Sequence, residues 1–269
     1  MVVKIWNGSH RHPPDDTSAT DSTMLFLSPF FDDKLDHTAR PEKRTRMFSF
    51  APTPFDLYFV LFGIPVRVNP MFWLMAAALG WSSGDIPSTV IWVWCVFFSV
   101  LIHELGHALT AEWFGWRSSI LLYFGGGLAF SERYVNNTPG RSVFMSLMGP
   151  MAQFILLGLV IAVSMGLSLA EVELHPYVRT AIGYLIIINI FWPVLNLLPI
   201  LPLDGGRILQ GTLDVFRIRN RTTIVRGFSV ILGAAVAAWC FSMGQPFGTI
   251  MFGLIAWQNA SGAFDSRAY

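Results

Sequence analysis

His103, Glu104 and His107, in the stretch His103-Glu104-Leu105-Gly106-His107, are the residues of this chain best suited to do chemistry. A helix turns 100° per residue, so positions 103 and 107 share one face, about 6 Å apart along the axis. Two imidazoles so placed can bind one zinc ion, and Glu104 between them can take a proton from a water on the metal. The pentapeptide lies within a run from Val90 to Phe114 whose other residues are almost all apolar. Chance matches to HExxH are common in soluble proteins. Inside a lipid-spanning helix, however, each ionisable group costs a few kcal/mol, roughly, and normally marks function.

The composition makes that setting a membrane. Hydrophobic residues are 53% of the 269 and charged residues only 13%, the balance of a polytopic membrane protein. Of the charged residues, 14 fall in the first 50 positions and 21 in the remaining 219. Residues 1–50 therefore read as a disordered polar tail, 51–262 as the membrane-embedded core and 263–269 as a short C-terminal tail. His10, His12 and His37 read as solvated tail residues rather than ligands. Met1 to Trp6 is too short an apolar run for a signal peptide, and Met47, just before the first patterned segment, could itself be a start. The net charge of +1 and the absence of a basic patch argue against nucleic acid. Cys95 and Cys240 both lie in apolar runs, which disfavours a disulfide.

The expected fold is an all-α polytopic membrane protein of about six transmembrane helices with short membrane-associated β-strands. Leu57 to Val68 is β-branched and aromatic, broken by Gly63 and Pro65, and suits a strand-turn-strand. Six apolar runs follow, at about 70–81, 90–114, 142–167, 178–198, 224–243 and 247–260, the first short for a bilayer. Between the second and third, residues 121–130 are apolar but too glycine-rich and too short to cross. Backbone of that kind is tolerated at a membrane where it is paired or lines a cavity. It fits a hairpin beside the histidines, pairing with the strand before the first span; a plain loop is the alternative. Arg117, Arg133 and Arg141 lie in one loop, and Arg207, Arg217, Arg219 and Arg221 in another. Basic residues favour the cytoplasmic side, so both termini are expected there, with His103 and His107 in the cytoplasmic half of their span.

Two imidazoles do not complete a catalytic zinc site; a third protein ligand and an open water position are needed. The fourth span runs into Asn196-Leu197-Leu198-Pro199-Ile200-Leu201-Pro202-Leu203-Asp204-Gly205-Gly206-Arg207. Two prolines break the helix there, and the glycine pair lets backbone approach closely. Asp204 thus sits on irregular backbone at a depth comparable to His107, although it could also simply cap the following helix.

HELGH on one span, with Asn196-x-x-Pro199-x-x-Pro202-Leu203-Asp204-Gly205-Gly206 closing another, resembles the site-2 protease family of intramembrane zinc metalloproteases. The resemblance covers about residues 57–262. It implies one zinc ion per chain held by His103, His107 and Asp204, with Glu104 activating water for peptide hydrolysis and Asn196 positioning or polarising the substrate. It also implies a membrane-anchored, regulatory protein as substrate and the cell membrane as location. Gly149-Pro150 matches a dipeptide the family usually follows with Asn three residues later. This chain has Gln153 there, and no role carries over to it. The loops leave no room for the PDZ or cystathionine-β-synthase-type domains of larger relatives, so a core-only member is expected.

A second carboxylate, Glu112, competes on geometry for the role of third ligand. Five steps of 100° place it about 140° around the helix from His107, near the opposite face. Asp204 belongs to another span and can approach from the open side. For catalysis, the Gly125-Gly126-Gly127 segment is a candidate edge to receive an unwound substrate strand. Two other classes of function stand beside the protease: a catalytically silent scaffold that binds client spans, and a metal transporter. The transporter needs a polar path through several spans, and beyond Gln153, Asn189 and Asn196 the spans offer little.

Overall fold

A computed structural model describes residues 53–81, 85–131 and 137–262. The expected tails at 1–50 and 263–269, with His10, His12 and His37, lie outside the described residues. In chain order the elements are β1 (Leu57–Leu61), β2 (Ile64–Val68), α1 (Pro70–Leu79), α2 (Ile86–Trp113), β3 (Ser118–Tyr123), β4 (Gly126–Ser131), α3 (Pro139–Leu169), α4 (Pro176–Asn196), α5 (Asp204–Val215), α6 (Arg221–Ser242) and α7 (Pro246–Ala260).

The helices start where local chemistry dictates. Asn69, Asp85, Thr138 and His175 each accept a hydrogen bond from a backbone N–H of the first turn that follows, and a proline stands at the first or second helical position. The side chain satisfies an otherwise bare donor, and proline loses nothing where no helical acceptor exists. Helices α2, α3, α4 and α6, of 28, 31, 21 and 22 residues, are long and apolar enough to cross a membrane. Helices α1 and α7 have 10 and 15 residues, about 15 and 22 Å at 1.5 Å per residue, against the roughly 30 Å of a hydrocarbon core. The expected count of six spans is therefore four full-length helices among the described residues, with two shorter ones.

The strands form one sheet in the order β1-β2-β3-β4. β1 and β2 pair antiparallel from Leu57↔Val68 to Leu61↔Ile64. Phe62 and Gly63, at φ 52° and 82°, make the two-residue turn, whose positive φ values match the twist of the flanking strands. β3 and β4 pair antiparallel from Ser118↔Ser131 to Tyr123↔Gly126, so the glycine-rich segment is the expected hairpin rather than a plain loop. It joins β2 through β3 in parallel register, Val66↔Ile120 to Val68↔Leu122, with α1 and α2 forming the crossover. Buried Asp56 anchors the far end. It accepts from Arg67 Nε (2.5 Å), Asn69 Nδ2 (3.2 Å) and the Thr53 hydroxyl (2.5 Å).

Helix α2 is the axis of the molecule. It is far more enclosed than the other spans, packing against α1, α3, α4, β3 and β4. Its buried Val100, Leu101, Leu105 and Ala108 meet Ile64, Val66, Val68, Ile120 and Leu122 of the sheet in one core. The outward faces of α3, α4 and α6 carry large exposed apolar side chains such as Ile155, Phe191 and Ile231, as lipid-facing surfaces do. Cys95 and Cys240 are both free thiols, as their positions in apolar runs foretold.

Candidate metal centre

The helical spacing in α2 brings the two histidines together as the sequence requires, with Nε2 atoms 3.1 Å apart. The chain that returns to them is α4 and its broken end. Past Asn196 the backbone makes short turns, Ile200 N–H to Leu198 C=O (2.7 Å) and Leu203 N–H to Ile200 C=O (2.8 Å), before α5 begins. Asp204 opens α5, with Leu203 in the cap position and no side-chain cap bond. The carboxylate thus does not cap the helix. Its Oδ2 lies 3.0 Å from His103 Nε2 and 3.3 Å from His107 Nε2.

These distances are those of a metal's coordination shell. Ligand atoms about 2.0–2.1 Å from a tetrahedral ion stand about 3.3 Å from one another. Both Nδ1 atoms face acceptors. His107 Nδ1–H donates to the Met145 carbonyl (2.7 Å) and His103 Nδ1–H to Gln153 Oε1 (2.8 Å). Gln153 Nε2 in turn donates to the Ser99 carbonyl (3.3 Å), which fixes the amide's orientation. With the ring protons on Nδ1, both Nε2 atoms present lone pairs, and the Asp204 oxygen presents a third. Three facing acceptors repel unless a cation sits between them, and two imidazoles with one carboxylate suit a divalent ion such as zinc. His103, His107 and Asp204 are the one such group among the described residues, and all three are buried.

Glu104 is buried beside them, 5% exposed. A Cβ placed on Gly127 of β4 would collide with its side chain, and one on Gly149 of α3 would collide with the His107 ring. Strand and helix can close over the centre only because these positions are glycine.

The sequence reading put His103, Glu104, His107 and Asp204 in one place, and the structure brings them together. Glu112 is occupied elsewhere: its Oε1 accepts from the Ser118 N–H (2.9 Å) and the Ser118 hydroxyl (3.1 Å), tying α2 to the start of β3. Asn196 ends α4 with its Nδ2 donating to the Trp192 carbonyl of its own helix (3.2 Å). Gln153, to which sequence reasoning gave no role, is fully buried and orients His103. The available signal was a polar amide in an apolar span, four residues past Gly149.

The family model described as peptidase family M50 matches residues 91–178 and 171–240. The chain is 31% identical over 224 residues to a protein of Synechocystis named putative zinc metalloprotease sll0528, covering 74% of this chain and 57% of that one. It is 34% identical over 149 residues to stage IV sporulation protein FB of Bacillus subtilis, covering 54% and 46%. The chain thus spans about half the length of these curated relatives. The solved structure of a site-2 protease from Methanocaldococcus jannaschii superposes with a TM-score of 0.56 at 20% identity, over 80% of this chain and 98% of that one. At that identity the likeness is one of fold.

Proposed function

The chain belongs to peptidase family M50, and from that membership we propose that it is an integral membrane zinc metalloprotease that hydrolyses peptide bonds in or near the transmembrane segments of membrane-anchored regulatory proteins. One observation carries the reading: three metal-binding atoms from α2 and α5 converge within 3.0–3.3 Å, with the Glu104 carboxylate buried next to them.

Zinc held by His103, His107 and Asp204 would act as a Lewis acid that eases deprotonation of water and polarises a peptide carbonyl. Glu104 takes the proton from the attacking water and hands it to the leaving amine as the C–N bond breaks. Asn196, swung from its bond to Trp192, donates to the carbonyl oxygen of the substrate. β4 is the edge strand of the sheet that lies against Glu104, and an unwound substrate adds to it as an extended strand, which brings the scissile bond past Gly127 to Glu104. Water reaches the centre from the cytoplasmic side, where α3 and α5 leave a cleft of about 310 Å³ whose lining includes Ser142, Ser146, Arg207 and Gln210. The protein resides in the cell membrane with its termini facing the cytoplasm; the orientation follows the arginines of the 115–141 and 207–223 segments between spans.

The test is Glu104→Gln in the purified protein in detergent, with zinc content and cleavage of a model transmembrane substrate measured together. The amide keeps size and hydrogen bonding but cannot take a proton, so zinc should be retained while turnover falls by about 100-fold or more. Near-normal turnover would overturn the assignment.

A further inference from the structure

The third ligand opens α5 directly after the broken stretch that follows α4, and that stretch is held from two helices outside the metal centre. Between α4 and α5 the prolines at 199 and 202 cannot donate backbone hydrogen bonds. The peptide groups of Leu201, between them, are held by side chains instead. The Leu201 N–H donates to Ser229 Oγ of α6 (2.8 Å), and the Leu201 carbonyl accepts from Asn259 Nδ2 of α7 (2.7 Å). Both side chains are buried, Ser229 at 0% and Asn259 at 1% exposure.

Each is itself fixed in the role it plays. The Ser229 hydroxyl donates to the Val225 carbonyl (2.8 Å), which turns a lone pair towards Leu201. Asn259 gives its second amide hydrogen to the Ile255 carbonyl (2.9 Å), so the –NH₂ end faces Leu201. Its Oδ1 finds no hydrogen-bond partner among the described residues. An apolar residue would avoid that cost, so what the position retains is the donor.

The restraint passes directly to Asp204. A Cβ on Gly206 would meet the Leu201 nitrogen at 2.6 Å, so the first turn of α5 is seated on the Ile200–Leu201 peptide, whose N–H Ser229 holds, while Asn259 holds the Leu201–Pro202 peptide that follows. The Leu203 N–H to Ile200 carbonyl bond (2.8 Å) closes the turn between them. Only Pro202 and Leu203 separate Leu201 from Asp204, and neither has much freedom.

We propose that Ser229 and Asn259 are positioning residues for the metal centre: they clamp Leu201 from both sides and so hold Asp204 at coordinating distance from His103 and His107. This rests on the zinc reading above. Residues beyond the ligands that orient them commonly change metal affinity by about 10–100-fold, and the clamp belongs to that class although it acts through backbone.

The experiment measures zinc affinity of the full-length protein by competition with a chromogenic chelator. It uses wild type, Ser229→Ala, Asn259→Leu and Asp204→Ala, together with the two clamp substitutions on the Asp204→Ala background. Each clamp variant should weaken zinc by about 10-fold or more while helical content is kept. On the Asp204→Ala background neither should weaken it further, because the ligand they position is gone. A merely structural role would act equally on both backgrounds, and that result, or wild-type affinity in both single variants, would overturn the clamp. Ser229→Ala removes one oxygen atom and carries the test if Asn259→Leu fails to fold. Lack of stoichiometric zinc in the wild type would overturn the metal reading itself; tight wild-type binding with unaltered variants would overturn only the clamp.

Discussion

Each histidine of the centre is oriented through its Nδ1, His103 by Gln153 and His107 by Met145, which leaves Nε2 facing the other two ligand atoms. Nothing comparable ties Glu112 to the site; its carboxylate receives Ser118 instead. Asp204→Ala should therefore weaken zinc binding strongly and abolish cleavage, since it removes one of three ligands and leaves the two histidines. Glu112→Ala should leave zinc stoichiometry intact and lower stability by about 1 kcal/mol, through loss of the Ser118 bonds. Zinc analysis with thermal unfolding in detergent checks both, and the reverse pattern would undo the ligand assignment. The histidine pair is legible in the sequence because i, i+4 spacing is a property of one helix. Asp204 is legible because prolines and glycines announce a break beside a carboxylate. Gln153 shows in the sequence only as a polar amide in an apolar span and the Met145 carbonyl not at all; their partners lie 50 and 38 residues away, and only packing of α3 against α2 reveals the pairing.

Among the elements that supply no ligand, β4 lies directly against the Glu104 side chain. Gly127→Ala adds a methyl where the Glu104 side chain already lies. Turnover should drop by at least about 10-fold with zinc content unchanged, because displacing the base touches proton transfer and not the ligands. Gly140→Ala, a site with nothing within 4 Å of the added carbon, is the matched control and should cut normally. Equal activity in the two variants would separate β4 from catalysis. The hairpin itself could be read from Gly125-Gly126-Gly127 between apolar stretches. The parallel pairing of β3 with β2 depends on the crossover through α1 and α2, and no local pattern encodes its sense. The bounds of α1 and α7 are legible to within two residues, but whether helices so short cross the bilayer is not, for a related reason. Apolar composition marks burial or lipid contact alike, whereas only capping residues such as Asn69 and its neighbouring Pro70 fix where a helix begins.

At the scale of the whole molecule, orientation decides which side supplies water and receives product. Reporter fusions in the loop near Arg219 should read as cytoplasmic and those near Glu171 as external, following the arginine bias; inverted signals would move the centre to the opposite half of the bilayer. The clamp on Leu201 also has a bearing on the order in which the protein is made. Asp204 is synthesised 101 residues after His103, and the amide that steadies Leu201 comes a further 58 residues after Leu201 itself. At about 5–20 residues per second on the ribosome, several seconds pass between the last ligand and the residue that fixes it. During that interval every metal-binding atom has been made and the third is not yet held. On the reading proposed above, the chain has made its apolar helices before the clamp that completes the site exists.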